Sequence, residues 1–167
     1  MPAPRPPSPT VEYRRLRRDE ADEACALARA VFDASVAGGQ PQAGRTLFHR
    51  FARPEALLAR HRTRYTTWVA VAGPRIVGVL HLHARNHVSL LFVAPDRQRS
   101  GVATTLLHTA AAAGEFVPPA TVNSSPAAVP YYARLGFRPD GPPVFKDGIH
   151  HQPMTLAGPL PPCRGTG

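Results

Sequence analysis

Leu90-Leu91-Phe92-Val93-Ala94-Pro95-Asp96-Arg97-Gln98-Arg99-Ser100-Gly101-Val102-Ala103-Thr104-Thr105 is the stretch on which the fold turns. Its first four residues close an apolar, β-prone run from His87 to Val93 that reads as a strand. Pro95 ends the strand, and a short loop carrying Arg97 and Arg99 follows. Gly101 stands where an Ala- and Leu-rich run, Gly101 to Gly114, reads as a helix. The first turn of a helix has backbone N–H groups with no intrahelical acceptor, and they carry partial positive charge. Gly101 and Ala103 leave room for an anion to reach that backbone. Arg97 and Arg99 add charge, and the hydroxyls of Ser100, Thr104 and Thr105 add donors. Phosphates and pyrophosphates are held in this way at helix starts.

Upstream, Thr66 to Ala72, Ile76 to Ala84 and His87 to Val93 are strand-like runs joined by Gly73-Pro74-Arg75 and Arg85-Asn86. Connections this short predict an antiparallel meander. Before them, Val11 to Arg18 reads as a first strand. Asp19 suits a helix N-cap, with Glu20, Asp22 and Glu23 in the first turn. Apolar positions then recur at helical spacing from Ala21 to Phe32, and Gly38-Gly39 ends that helix. Leu47 to Arg60 reads as a helix interrupted near Pro54. Downstream come a short strand, Ala120 to Ser124, and a helix, Pro126 to Leu135, capped by Gly136. A closing hairpin is expected around Lys146 to Gly148. The helix between the strands at 87–93 and 120–124 permits a parallel crossover. This order defines one mixed α/β (α+β) domain over residues 11–158, between a Pro-rich tail at 1–10 and a flexible tail at 159–167.

The chain has 167 residues, enough for one core, and 43% are hydrophobic against 19% charged, which favours a packed body over disorder. The net charge is +9, and Lys146 is the only lysine. Positive residues are scattered without a run of five or six, which argues against a nucleic-acid-binding tail. Cys25 and Cys163 lack metal or CxxC spacing, so free thiols in a reducing compartment are expected. No apolar run approaches the roughly 20 residues needed to span a bilayer, and the N-terminus lacks the apolar stretch of a signal peptide. A soluble, cytoplasmic protein without membrane contact is the expectation.

Gln98-Arg99-Ser100-Gly101-Val102-Ala103 resembles the Q/R-x-x-G-x-G/A pyrophosphate loop of the GNAT N-acetyltransferases. Asn123-Ser124-Ser125-Pro126-Ala127-Ala128, followed by Tyr132-Ala133-Arg134-Leu135-Gly136-Phe137, resembles that family's N…A…Y-x-x-x-G-F segment. The resemblance covers roughly residues 11–157 and is specific over 87–138. It implies the GNAT fold, a central mixed sheet, mostly antiparallel, flanked by helices, whose two strands around the loop and helix splay apart. It implies acetyl-CoA as cosubstrate, with its pantetheine arm in the gap. Backbone groups of Leu91 and Val93 would bond that arm, and Asn123 would join them. The N–H groups from Arg99 through Ser100, Gly101, Val102 and Ala103 to Thr104, with Gln98 at the loop's head, would hold the pyrophosphate. Tyr132 would protonate the departing thiolate, with Tyr131 as the alternative if the register shifts by one. The Val93 N–H would stabilise the oxyanion.

Many family members carry a glutamate base early in the strand before the loop; here that position looks like His87. His87, Ser89, Leu91 and Val93 are expected to alternate onto one face, aiming His87 where a base could sit. His81 and His83 share a strand face but lack a third ligand, and no metal is expected. His150 and His151 would point to opposite faces. Trp68, Phe48 and Phe51 suit a core or cleft wall, and Arg14, Arg15, Arg17 and Arg18 a solvated face. The acceptor would be a primary amine on a small molecule or a peptide, selected by the first helices and the loop from Gly38 to Arg45. A monomer or homodimer is expected. The rival reading is a catalytically inactive, CoA-binding sensor or interaction module, motivated by the missing glutamate and the two prolines before Ala120.

Overall fold

A computed structural model describes residues 1–163, so the last four residues of the expected C-terminal tail lie outside the described residues. The layers follow from alternation along the strands. In β2 (Tyr65–Ala72), Trp68, Ala70 and Ala72 face one core while Val69 and Val71 face another. The first face is covered by α4 (Val102–Ala112) through Val102, Leu106, Leu107 and Ala110. The second is covered by α1 (Ala21–Ser35), whose Ala24 joins Val69, Val71, Ile76 and Val79. Burial on both faces explains why β2 and β3 (Arg75–His83) are almost continuously apolar.

The remaining elements are β1 (Val11–Arg15), α2 (Gln42–Phe51), α3 (Pro54–Arg60), β4 (His87–Val93), β5 (Ala120–Ser124), α5 (Val129–Arg134), β6 (Arg138–Pro139), β7 (Val144–Lys146) and β8 (Ile149–Leu156). The sheet runs β1-β2-β3-β4-β5-β8-β6, with β7 on the start of β8. Every pairing is antiparallel except β4 with β5, which is parallel and holds only at His87↔Thr121 and Val88↔Val122. This is the expected mixed, mostly antiparallel sheet flanked by helices, with two strands diverging at its centre. Leu160 also packs against the α4-side core. Among the described residues, no helix is long and apolar enough to cross a membrane.

Several boundaries differ from the sequence reading, each for a local reason. Asp19 is not the cap of α1. A 3-10 turn at Arg18–Glu20 precedes the helix, and the Glu20 carboxylate accepts the Arg17 N–H at 2.9 Å and pairs with Arg14 at 2.7 Å. Arg14 beside it holds the Glu20 carboxyl down at about 2. Arg15 pairs with Glu115, so two of the four arginines expected on a solvated face are in ion pairs. Helix α2 starts at Gln42, before Leu47, and its first turn is silent in the sequence because it carries no apolar periodicity. The helix expected from Pro126 opens as a 3-10 turn over Pro126–Ala128.

Gly78 sets how close α4 lies to the sheet. A Cβ there would stand 2.9 Å from Val102 Cγ1, 3.1 Å from Leu106 Cδ1 and 3.2 Å from the Ala70 Cβ. The absence of a side chain lets the first turn of α4 press onto β2 and β3. Gly78→Val overpacks this contact and should cost roughly 1–3 kcal/mol by chemical denaturation. Unchanged stability would contradict the seating of α4.

Candidate active site

Ladder geometry decides which backbone groups face the gap. The Ala94 N–H donates to the Val77 carbonyl at 2.8 Å. In an antiparallel pair alternate residues bond the same neighbour, so Phe92 and Leu90 also turn toward β3. Leu91 and Val93 therefore direct their N–H and C=O groups to the side from which β5 has diverged. The Val93 carbonyl accepts from Gln98 Nε2 at 3.0 Å. Gln98 thus ties the loop to the end of β4.

The loop itself turns on two left-handed residues, Arg99 at φ +61° and Gly101 at φ +86°. Left-handed conformation is costly for arginine and cheap for glycine. The Thr105 N–H closes the first turn of α4 on the Gly101 carbonyl at 2.9 Å. The N–H groups of Gly101 to Thr104 ahead of it are the unpaired donors that any helix start carries, and alternation of handedness around Ser100 gathers them into a concavity suited to an anion. A Cβ at Gly101 would meet nothing within 4 Å, so the approach is open. The hydroxyls differ from the sequence expectation. Ser100 Oγ donates to the Arg97 carbonyl, Thr105 Oγ1 donates to the Gly101 carbonyl at 2.8 Å, and Thr104 Oγ1 shares a hydrogen bond with the Tyr131 hydroxyl at 3.2 Å. They brace the loop, and the backbone supplies the donors.

Beside the gap lies a cleft of about 730 Å³, lined by residues from α1, α2, β4, the end of β5 and the β7–β8 hairpin. Tyr132, His87, Leu91 and Asn123 all line it. Tyr132 is 5% exposed and packs edge-on against Phe137, with centroids 5.3 Å apart. Burial raises the pKa of its phenol. Burial also pushes Tyr131 up, to about 12, but Tyr131 points its hydroxyl at Thr104 instead of lining the cleft. His87 Nδ1 lies 2.7 Å from Thr121 Oγ1, and burial, with His83 nearby, lowers its pKa.

The expected alternation of His87, Ser89, Leu91 and Val93 does not hold. The register of β4 against β3 shifts between His81↔Leu90 and Leu82↔Val88, which leaves Ser89 as an extra, bulged residue. Val88 then shares the α4-side core with Leu91 and Val93, while Leu90 joins Phe32 and Phe48 on the other face. His87, one residue before Val88, falls on the face of Leu90. Gln40 has no motif to mark it, yet it is 7% exposed and its amide bridges both backbone groups of His150. Lys146 and Asp147 enter the cleft from the hairpin.

His81 is a structural residue. It is fully buried, and Arg60 Nε lies 3.1 Å from its Nε2. A guanidinium only donates, so Nε2 is the acceptor and the proton sits on Nδ1. Nδ1 then donates to Thr67 Oγ1 at 2.8 Å, and that hydroxyl shares a second hydrogen bond with His61 Nε2 at 2.6 Å. Arg60 also lies over the Phe51 ring at 3.7 Å and donates to the Phe51 carbonyl. His83 stacks on Tyr65 with centroids 4.5 Å apart.

A diverging parallel strand pair, a left-handed glycine opening α4 and a cleft beside them make up the candidate site. Residues 19–157 match the acetyltransferase (GNAT) domain, and the chain belongs to that family. A stretch of 46 residues is 44% identical to a mycothiol acetyltransferase of Propionibacterium freudenreichii; it spans 28% of this chain and 15% of that relative. Among solved structures, the PaiA N-acetyltransferase of Thermoplasma acidophilum, in complex with coenzyme A, is similar in fold. Its TM-score is 0.72 at 16% identity, over 89% of this chain and 99% of that one. A GNAT family acetyltransferase of Brucella melitensis, in complex with acetyl-CoA, has a TM-score of 0.60 at 18% identity, over 92% of each chain.

The His81 network makes stability depend on pH. Burial, and then the Arg60 charge, bring the His81 pKa down to about 3 from 6.5. The unfolded chain therefore binds a proton below pH 6.5 that the fold refuses, and stability is lost as pH falls through that window. Between pH 7 and pH 5 the loss from this residue is about 2 kcal/mol. Denaturation of wild type and His81→Gln at both pH values should show a clearly smaller drop in the variant; equal drops would contradict the network.

Proposed function

We propose that this chain transfers an acetyl group from acetyl-CoA to the nitrogen of a primary amine. The observation that carries the reading is the two-residue β4–β5 pairing beside the open start of α4. The gap offers the outward N–H and C=O of Leu91 and the N–H of Val93 to the amides of a pantetheine arm, the Val93 carbonyl being held by Gln98. The loop offers N–H groups to a pyrophosphate, and Arg97 and Arg99 lie on it. Asn123, at the far lip of the gap, suits a further hydrogen bond to the arm.

In this reading the neutral amine nitrogen attacks the thioester carbonyl carbon. A C–N bond forms, the C–S bond breaks, and the Val93 N–H steadies the oxyanion in between. Tyr132, held protonated by burial, gives its proton to the leaving thiolate. His87 takes the proton the amine sheds, with Nδ1–H directed to Thr121 and Nε2 free to accept. The likeness to proteins solved with coenzyme A and acetyl-CoA supports this donor.

Tyr132→Phe should cut kcat by about tenfold or more while acetyl-CoA affinity stays within about twofold; unchanged kcat would remove Tyr132 from the mechanism. His87 accepts a proton only when neutral, and its pKa lies below 6.5. Activity should therefore fall along a further acid limb, below the one set by the acceptor's own ammonium, as pH drops through that lowered value. This acid limb should vanish in His87→Gln, measured as kcat/KM against pH. An acid limb that persists in the variant would assign the base elsewhere.

A further inference from the structure

The end of the cleft remote from the α4 loop carries information about the acceptor, and the inference rests on the acetyl-transfer reading above. One wall there is hydrocarbon. Phe32 stacks on Phe48 with centroids 3.8 Å apart and planes within 6°, and Phe48 meets the edge of Phe92 at 5.6 Å. Leu47 and Phe51 continue this wall along α2. Opposite, the hairpin contributes Lys146 and His150. Asp147, exposed at the hairpin turn, is the one carboxylate lining the cleft among the described residues.

An amine with several cationic groups would set unpaired charge against hydrocarbon, which is strongly unfavourable. An apolar monoamine meets the opposite condition. Its body leaves water against Leu47 and Phe48. The same apolar surroundings lower the pKa of its ammonium, raising the fraction of the neutral, nucleophilic form.

This end is also bridged. Gln40 Nε2 donates to the His150 carbonyl at 3.0 Å, and Gln40 Oε1 accepts the His150 N–H at 2.7 Å. Two residues into α2, Gly44 packs directly on Gly148 of the β7–β8 turn, and a Cβ at Gly44 would collide with the Gly148 carbonyl. The segment joining α1 and α2 is therefore stapled to β8 through Gln40, and the start of α2 to the β7–β8 turn through Gly44. A polypeptide threaded between them would have to break both contacts.

We infer that the acceptor is a small apolar monoamine of arylalkyl or branched alkyl type, and neither a polyamine nor a lysine within a polypeptide. The test is thiol release from acetyl-CoA by the full chain with 2-phenylethylamine, spermidine and a lysine-bearing peptide. The kcat/KM for 2-phenylethylamine should exceed the other two by about tenfold or more. Leu47 is 37% exposed, so Leu47→Glu places a carboxylate on the wall without emptying the core. It should lower kcat/KM for 2-phenylethylamine about fivefold and narrow the ratio to spermidine, with acetyl-CoA affinity held. Three results overturn the inference while the transfer reading stands. These are equal or better turnover of spermidine or the peptide, a ratio unmoved by Leu47→Glu, and no turnover of 2-phenylethylamine by protein that binds acetyl-CoA. Failure to bind acetyl-CoA overturns both.

Discussion

Parallel pairing between β4 and β5 stops after His87↔Thr121 and Val88↔Val122, and the site depends on where it stops. Were the ladder to continue, the outward N–H and C=O of Leu91 and the N–H of Val93 would be consumed by β5. Because it ends, one edge of β4 stays unpaired in the middle of the sheet. An unpaired edge is ordinarily a liability, inviting association with another strand. Here it opens into a cleft beside a helix start, which in the proposed reading gives a chain of amides its backbone partners and an anion its terminus. α4 both covers the core and aims its N–H groups, and Gly78 sets its height above β2 and β3.

The electrostatics of the cleft follow from what is left out of it. Aromatic and aliphatic side chains make up the wall from α1 and α2, and Lys146 and Asp147 line the cleft from the hairpin. Low polarity does two kinds of work at once. It raises the pKa of the Tyr132 phenol and lowers that of the His87 imidazole, the directions that the proposed acid and base need. In the proposed reaction it would also shift an incoming ammonium toward the amine. Behind the wall, Arg60 is held between Phe51 and His81, a half-buried cation satisfied by a neutral imidazole and a carbonyl and lodged on an aromatic face.

Strong local signals made much of this legible in the sequence. The meander from Tyr65 to Val93 was marked by apolar runs with turn residues between them, and the α4 loop by a glycine set between a strand and an Ala-rich helix. What stayed hidden depends on partners distant in the chain. The bulge at Ser89 arises from register against β3, so strict alternation put His87 on the wrong face. Gln40 is one glutamine in a Gly- and Pro-rich loop, and its meaning appears only when His150, 110 residues away, arrives beside it. The hydroxyls of Ser100 and Thr105 looked like ligand donors because composition says nothing of the carbonyls they already serve. The polar first turn of α2 was silent for lack of periodicity, although Gly44 is what lets it reach the hairpin.

The central claim is that the gap and the α4 start together bind acyl-CoA, and calorimetric titration of acetyl-CoA into the full chain tests it most directly. The account predicts saturable binding with Kd in the range of about 1–100 μM, weakened about 100-fold or more in Gly101→Glu. Gly101→Ala, measured beside it, separates the strain of a side chain at φ +86° from the effect of charge and bulk. No binding at about 1 mM acetyl-CoA, or affinity untouched by Gly101→Glu, would contradict it.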